Sequence, residues 1–359
     1  MYILFLSNGY GEDTIAYYII NSFPSSFKNR ILTFPLVTEG KIFEDNGIKR
    51  VGPIKVFPSR GISGIFNLKN MLLDIKSGLI KHILKQIKFL NSLDENYYFV
   101  AVGDIYPLSL LYLSNKIDKT FFVATAKSIR TENFNFFEIF LMNKTIANFV
   151  RDQETYQKFE KRIKNLFFVG NPVLDIPYYE PPEEIRSALN KSNSILIFPG
   201  REDQALNNLK LLLPSIEVGV QKGFLFFIVV PNFYPIDQIS AIVGYKDAIF
   251  VVDSRYLAYL LKECFVVWGF GGSVNEQAAG FGIPVISLDQ KNWYRRRQRK
   301  LLGNSLILVS NSYQFIQKTL ELKQNKQLYL QLSNEGRVRM GKQGGALSIV
   351  NLILEKINV

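Results

Sequence analysis

The chain has 359 residues, 47% of them hydrophobic and 21% charged, which at roughly 150 residues per domain allows about two domains. That composition excludes a small disulfide-stapled scaffold and the low-hydrophobicity, high-charge signature of disorder. Forty-three Lys and Arg against 31 Asp and Glu leave a net charge of +12, a balance that favours an anionic partner: nucleic acid, a phosphate-bearing substrate or an anionic membrane surface.

The first segment, MYILFLSNGYGED, has no basic n-region and too short an apolar run for a signal peptide, so Tyr2 to Ser7 reads as a buried strand. From there, short β-branched and aromatic runs alternate with amphipathic segments, the pattern of parallel strands joined by crossover helices. Further strands are expected at Arg30 to Leu36, Tyr98 to Val102, Thr120 to Ala124, Thr145 to Phe149 and Leu166 to Val169. Residues 62 to 90 form a long amphipathic stretch, either a helix covering a sheet or, over Ile62 to Leu73, an element lying in a membrane interface. Within it, Ile80, Ile83, Leu84 and Ile87 recur at helical spacing, and His82, the only histidine, reads as a helix-face residue without chemistry.

The segment GNPVLDIPYYEPP carries four prolines, which sustain neither a helix nor a central strand and mark an interdomain connection. Strands resume at Ile195 to Phe198, Leu225 to Val230, Ala248 to Val252, Phe265 to Trp268, Pro284 to Ser287 and Ser305 to Val309. The expected class is α/β, with two Rossmann-like doubly wound domains facing across a cleft. The boundaries expected are 1–172 for the first domain, 173–182 for the linker and 183–343 for the second domain. With Cys264 as the only cysteine, neither a disulfide framework nor a Cys-ligated zinc site is available, and no metal site is expected. The longest apolar runs, such as Phe224 to Pro231, fall short of the ~18 residues a membrane-spanning helix needs.

Three loops carry chemistry. SNGYGED follows the first strand, where Gly9 and Gly11 permit a tight turn with amides aimed at a ligand; the structural alternative is a glycine turn with Asp13 as helix N-cap. In FVVWGFGGSVNEQAAGFGIPVISL a buried strand runs into Gly269, Gly271 and Gly272, and a helix opens at Ser273. Glycines at a helix N-terminus offer N–H donors in the positive end of the dipole, a seat for a diphosphate, with Glu276 one turn further in, within reach of a ribose diol. After the strand ILIF, Gly200 turns the chain and Arg201 offers a planar fork to phosphate. The run KNWYRRRQRK places six basic residues within 291–300; it reads as a solvated basic surface or a phosphate- or lipid-attracting one, with Gln298 offering an amide to sugar hydroxyls. No zinc-finger, RRM or KH pattern accompanies the charge, so nucleic acid is not an expected partner.

In order and spacing these motifs resemble the lipid-A-disaccharide synthase family, and more closely its lipid-A-disaccharide synthase-related branch. The resemblance rests on SNGYGED with TIA, VGDIYPL, VGNPVLD, FPGRED, GGSVNEQAAGFGIPVISL and RRQRKLLGNSLIL, and covers nearly the whole chain. It implies a GT-B fold and a metal-independent hexosyltransferase with a UDP-sugar as substrate and no cofactor. The second domain would hold the donor: Gly271, Gly272 and Ser273 the diphosphate, Glu276 the ribose, Gly200 and Arg201 the phosphate side, the Val252 backbone the uracil, and Gln298 the sugar. Asn8, Gly9 and Gly11 would form the acceptor-side loop. The last helix, within 344–359, would return to the first domain.

Inverting transfer needs a general base, with Asp104 preferred and Glu12 and Asp13 as alternatives. SNGYGED and VGDIYPL depart from the synthase's pattern in the half expected to bind acceptor. A different lipid or polyprenyl-linked acceptor is therefore expected, with the chain on the cytoplasmic, inner face of an anionic membrane. The competing expectations are a UDP-sugar 2-epimerase of the same fold, which needs no acceptor, and a non-catalytic nucleotide-sugar- or lipid-binding protein.

Overall fold

The computed structural model describes residues 1–57, 75–200, 202–231, 234, 236–244 and 247–358. Among these, twelve strands form two six-stranded sheets. The first contains β1 (Tyr2–Ser7), β2 (Ile31–Pro35), β3 (Tyr97–Val102), β4 (Thr120–Ala124), β5 (Ala147–Val150) and β6 (Leu166–Phe167), in the order β2-β1-β3-β4-β5-β6. The second contains β7 (Ser194–Phe198), β8 (Leu225–Val230), β9 (Ile249–Asp253), β10 (Val266–Gly269), β11 (Val285–Leu288) and β12 (Leu306–Val309), in the order β12-β11-β10-β7-β8-β9. Every pairing is parallel. Strands covered on both faces read as unbroken apolar runs, so YILFLS and LFFIVV carry no alternation.

The expected α/β class is present: two Rossmann-like, doubly wound units of GT-B type. One unit comprises Met1–Asp175 with Gln343–Val359, the other Ile176–Lys342. Each has its own core: Leu4, Leu6, Phe34 and Phe99 lie in the first, Ile195, Phe226, Trp268 and Phe315 in the second. The Gly345–Lys356 helix buries Ala346, Ile349, Val350 and Ile353. At its start, the Asp175 carboxylate accepts from the N–H groups of Gly344 and Ala346, each at 2.6 Å, which satisfies donors that an uncapped helix leaves open.

Both sheets have a topological switch point, and these place the functional loops. In the first, the chain moves outward from β1 to β2 and then returns to the other side of β1 at β3. The loops after β1 and β3 therefore emerge side by side at the carboxyl ends of the strands, where open α/β sheets bind ligands. In the second, β7 through β9 build one way and β10 starts the other, bringing the loops after β7 and β10 together.

Several local expectations need correction. Asp13 is not an N-cap: Gly9 holds that position for the Tyr10–Asn21 helix, with no side-chain cap. The basic run is not simply a solvated face, since Arg295 and Gln298 are buried in the Trp293–Leu302 helix. In the Leu79–Asn91 helix, Ile83, Ile87 and Leu90 pack on the core while Ile80 and Leu84 are exposed. His82 lies in this helix, as expected, and is buried. The stretch Ile62 to Leu73 and Arg201 lie outside the described residues.

Candidate functional site

At the first switch point, β1 ends in Ser7 and the chain turns through Asn8 and Gly9 into a helix, while β3 ends at Val102 and turns through Gly103 to Asp104. Asn8 Nδ2 donates to Asp104 Oδ1 at 2.6 Å, and the Tyr106 N–H donates to the same oxygen at 2.8 Å. Asp104 thereby caps the Ile105–Leu113 helix. Its Oδ2 takes no hydrogen bond from the described residues. Burial is the main influence on this half-buried carboxyl and holds its pKa above the ordinary range. Gly103 has φ +133, and a Cβ there would stand 2.0 Å from Asn8 Oδ1, so only glycine permits this approach. Glu12 belongs to the same cluster, its carboxylate lying against Gly9 and its stem against Gly103.

Asp13 faces another way. It is 2% exposed, and its two oxygens accept from Ser7 Oγ and Thr38 Oγ1, each at 2.5 Å. Both oxygens are thus spent on tying the first helix to β1 and to the loop after β2. Burial pushes this carboxyl from 3.8 up to about 6, against the opposing hydroxyl hydrogen bonds. The folded state holds the proton more tightly than the unfolded one, so stability contributed here is present below 3.8 and lost as pH rises through about 6. Asp13→Asn abolishes that loss. The variant should gain on the wild type by about 3 kcal/mol between pH 3.5 and 7, from roughly two pKa units at 1.36 kcal/mol each. Urea unfolding across that range checks it, and a flat difference would refute the raised pKa.

Behind this cluster, Tyr106 Oη donates to Gln86 Oε1 at 2.5 Å, and Gln86 Nε2 lies 2.8 Å from the Leu36 carbonyl and 3.0 Å from His82 Nε2. Burial lowers the His82 pKa, so the ring is a neutral member of a satisfied interior network. Nothing in that network reaches Asp104 through a side chain.

At the second switch point, β10 runs into Phe270, Gly271 and Gly272, and the Ser273–Gly280 helix opens without a side-chain cap. At two of the three glycines a Cβ would run into a side chain, a buried amide at Gly269 and the end of an exposed tyrosine, able to swing aside, at Gly272. A Cβ at Gly269 would meet Asn275 Oδ1 at 1.9 Å, and one at Gly272 would meet Tyr294 Oη at 1.8 Å. Gly271 is different: a Cβ there would meet nothing nearer than Val274 at 3.9 Å. Gln298 Nε2 lies 3.3 Å from the Gly271 carbonyl and 3.1 Å from that of Gly272. In a trans peptide the carbonyl and the following N–H point in opposite directions, so fixing these two carbonyls aims the N–H groups of Gly272 and Ser273 away from Gln298. Glu276 stands half-buried in the first turn.

The loop after β7 closes against this one. Gly200 has φ +96, and its Cβ position lies 3.3 Å from Phe270 Cβ; Asn208 Nδ2 and Tyr234 Oη hold the Pro199 and Gly200 carbonyls at 2.7 and 2.9 Å. Gly200, Gly271, Gly272, Ser273 and Glu276 are thus gathered at one sheet edge. Val252 is not: it lies on the edge strand β9, three strands from β10, or roughly 14 Å at the usual spacing. Gln298 is 3% exposed and spends its amide on protein groups, not on an open sugar pocket. The sequence reading missed Asn275 and Arg295. The available signal was the recurrence of Arg295, Gln298, Leu301 and Leu302 on one helical face.

No family model matches the chain, and no curated protein matches it. Solved structures do. A Listeria monocytogenes protein assigned as a UDP-N-acetylglucosamine 2-epimerase superposes with a TM-score of 0.63 at 13% identity, over 99% of this chain and 96% of its own. A UDP co-structure of S. aureus MnaA gives 0.62 at 13% identity, over 100% and 97%. UDP-GlcNAc 2-epimerase from Neisseria meningitidis, bound to UDP-GlcNAc, gives 0.58 at 12%, over 99% and 100%. The expected kinship with the lipid-A-disaccharide synthase family is therefore corrected, and with it the hexosyltransferase activity and transfer to a lipid or polyprenyl-linked acceptor at a membrane. The physical reason is that a strand running through glycines into a bare helix N-terminus belongs to the architecture and does not encode what accepts the sugar. What the chain shares with these proteins is the fold, two doubly wound α/β units of the GT-B type.

Proposed function

We propose that this chain binds a UDP-sugar and epimerises it at C2 without a lipid acceptor. The observation that carries the reading is Gly271, a glycine that no atom of the described residues requires, beside amides that Gln298 turns outward at an uncapped helix N-terminus. Absent side chains where the protein does not need them absent suit the close approach of a ligand, and outward N–H groups in a positive dipole suit a diphosphate. Gly272 and Ser273 would hold the diphosphate, Glu276 the ribose, and Gly200 the opposite wall. Likeness in fold to proteins described as UDP-GlcNAc 2-epimerases supports the reaction type.

Inverting C2 removes its proton as the C1–O bond to UDP breaks, the electron pair forming a C1–C2 double bond, and then returns a proton to the other face of C2 as UDP re-adds at C1, so groups that take and give a proton are needed. Asp104, whose Oδ2 takes no hydrogen bond from the described residues, and Glu12 beside it suit that role better than Asp13, whose oxygens are both occupied. The test is UDP-GlcNAc incubated with the protein in detergent-free D₂O and followed by proton NMR. The expected result is a second UDP-N-acetylhexosamine with deuterium at C2; neither new product nor deuterium at stoichiometric enzyme would refute the reaction. Glu276→Ala should weaken UDP binding by roughly tenfold or more, the loss of about 1.5–3 kcal/mol from a charge-assisted hydrogen bond, and calorimetric titration measures it.

A further inference from the structure

Beneath the glycine loop lies a charge that no described residue balances. Arg295 is 1% exposed. Its Nη1 donates to Gln298 Oε1 at 2.6 Å and its Nη2 lies 3.5 Å from the Phe270 carbonyl. Its Nε has no partner. Among the described residues no carboxylate lies within ion-pair distance of this guanidinium; Asp289 and Tyr294 act on it only across space. A buried cation without a counter-ion is among the most costly arrangements a fold can keep.

A second buried polar atom beside it is also unpartnered. Asn275 is fully buried, its Nδ2 reaches Gln298 Oε1 at 3.1 Å, and its Oδ1 bonds to nothing. Arg295, Asn275 and Gln298 thus form one buried polar unit in which Gln298 Oε1 takes the charge and Gln298 Nε2 grips the two glycine carbonyls. A cation under a loop whose amides point outward is compensated when an anion sits on the outer side.

We propose that Arg295 is the buried counter-charge for a diphosphate seated on Gly271–Ser273, and that through Gln298 it fixes the direction of the amides that hold it. This rests on the reading above that the loop takes the diphosphate of a UDP-sugar. Arg295 is a positioning residue: it acts on the ligand through the loop and by its field.

The test compares the wild type, Arg295→Met and Arg295→Lys, with inorganic pyrophosphate, UDP and uridine as probes, by thermal shift and calorimetric titration. The wild type should be stabilised by pyrophosphate and should bind UDP far better than uridine. Arg295→Met should melt no lower than the wild type without ligand, lose at least tenfold in UDP affinity and keep its uridine affinity. Arg295→Lys retains the charge without the fork and should keep part of the pyrophosphate stabilisation, so the comparison survives if the Met variant does not fold. Absence of pyrophosphate stabilisation in the wild type overturns the proposal, as does UDP affinity unchanged within twofold in a folded Met variant. An equal loss for UDP and uridine overturns it too, because that marks a merely structural role. Epimerisation with no Arg295 effect would refute this inference alone; pyrophosphate binding without epimerisation would refute only the reaction.

Discussion

Asp104→Asn is expected to leave the fold intact and to lower epimerisation by roughly 10² to 10⁴-fold, the usual contribution of a positioned acid or base. Asparagine is as good an N-cap as aspartate, and its Oδ1 can still accept from Asn8 Nδ2 and from the Tyr106 N–H. The substitution therefore removes ionisation and little else. Burial raises the Asp104 carboxyl, so the wild-type pH–rate profile should carry a limb above the ordinary carboxylate range, and that limb should vanish in the variant. Turnover within threefold of wild type would remove Asp104 from the mechanism and leave Glu12 as the acid of that cluster.

Gly336→Ala should destabilise the second unit, although a helical glycine replaced by alanine ordinarily gains about 1 kcal/mol. Gly336 is buried in the Lys326–Met340 helix where this helix crosses Ser273–Gly280. A Cβ there would stand 2.4 Å from the Ala279 carbonyl oxygen and 3.0 Å from its carbon, and backbone atoms cannot swing aside. Overpacking of this kind costs about 1–3 kcal/mol, so the sign reverses and the helices must part. Because the displaced helix carries the glycine loop at its other end, UDP affinity should fall with stability. Val338→Ala on the same helix, at a position 66% exposed, should stay within about 0.5 kcal/mol of wild type. Chemical denaturation of the two variants decides; a stabilised Gly336→Ala protein would show that the crossing has slack.

The strands were legible because a parallel sheet covered on both faces writes itself as runs such as ILFLS and FVVW, and all twelve expected strands have counterparts. Boundaries shifted where turn chemistry intervened: the strand expected at Leu166 to Val169 stops at Phe167, since Gly170 and Pro172 turn the chain. The loops at both switch points were legible from their glycines. What lies beneath them was not. Whether Arg295 is solvated or buried depends on β10 and the Ser273–Gly280 helix closing over it, a tertiary fact that a string of six basic residues conceals. Asp13 read as a helix cap or an alternative base because its partners, Ser7 and Thr38, are joined to it only by the folded arrangement of β1 and β2. The family and its acceptor were misread for a related reason: motif order follows sheet topology, which many chemistries share.

The helix that Asp175 caps also bears on how the protein is made. Gln343–Val359 completes a unit begun at Met1, with the whole of Ile176–Lys342 between them. During synthesis the first sheet emerges early, but the surface that will receive Ala346, Ile349, Val350 and Ile353 stays bare until the Gly345–Lys356 helix leaves the ribosome. Exposed apolar surface of that kind recruits chaperones or neighbours in the interval. A truncation before Gln343 would thus injure the unit begun at Met1.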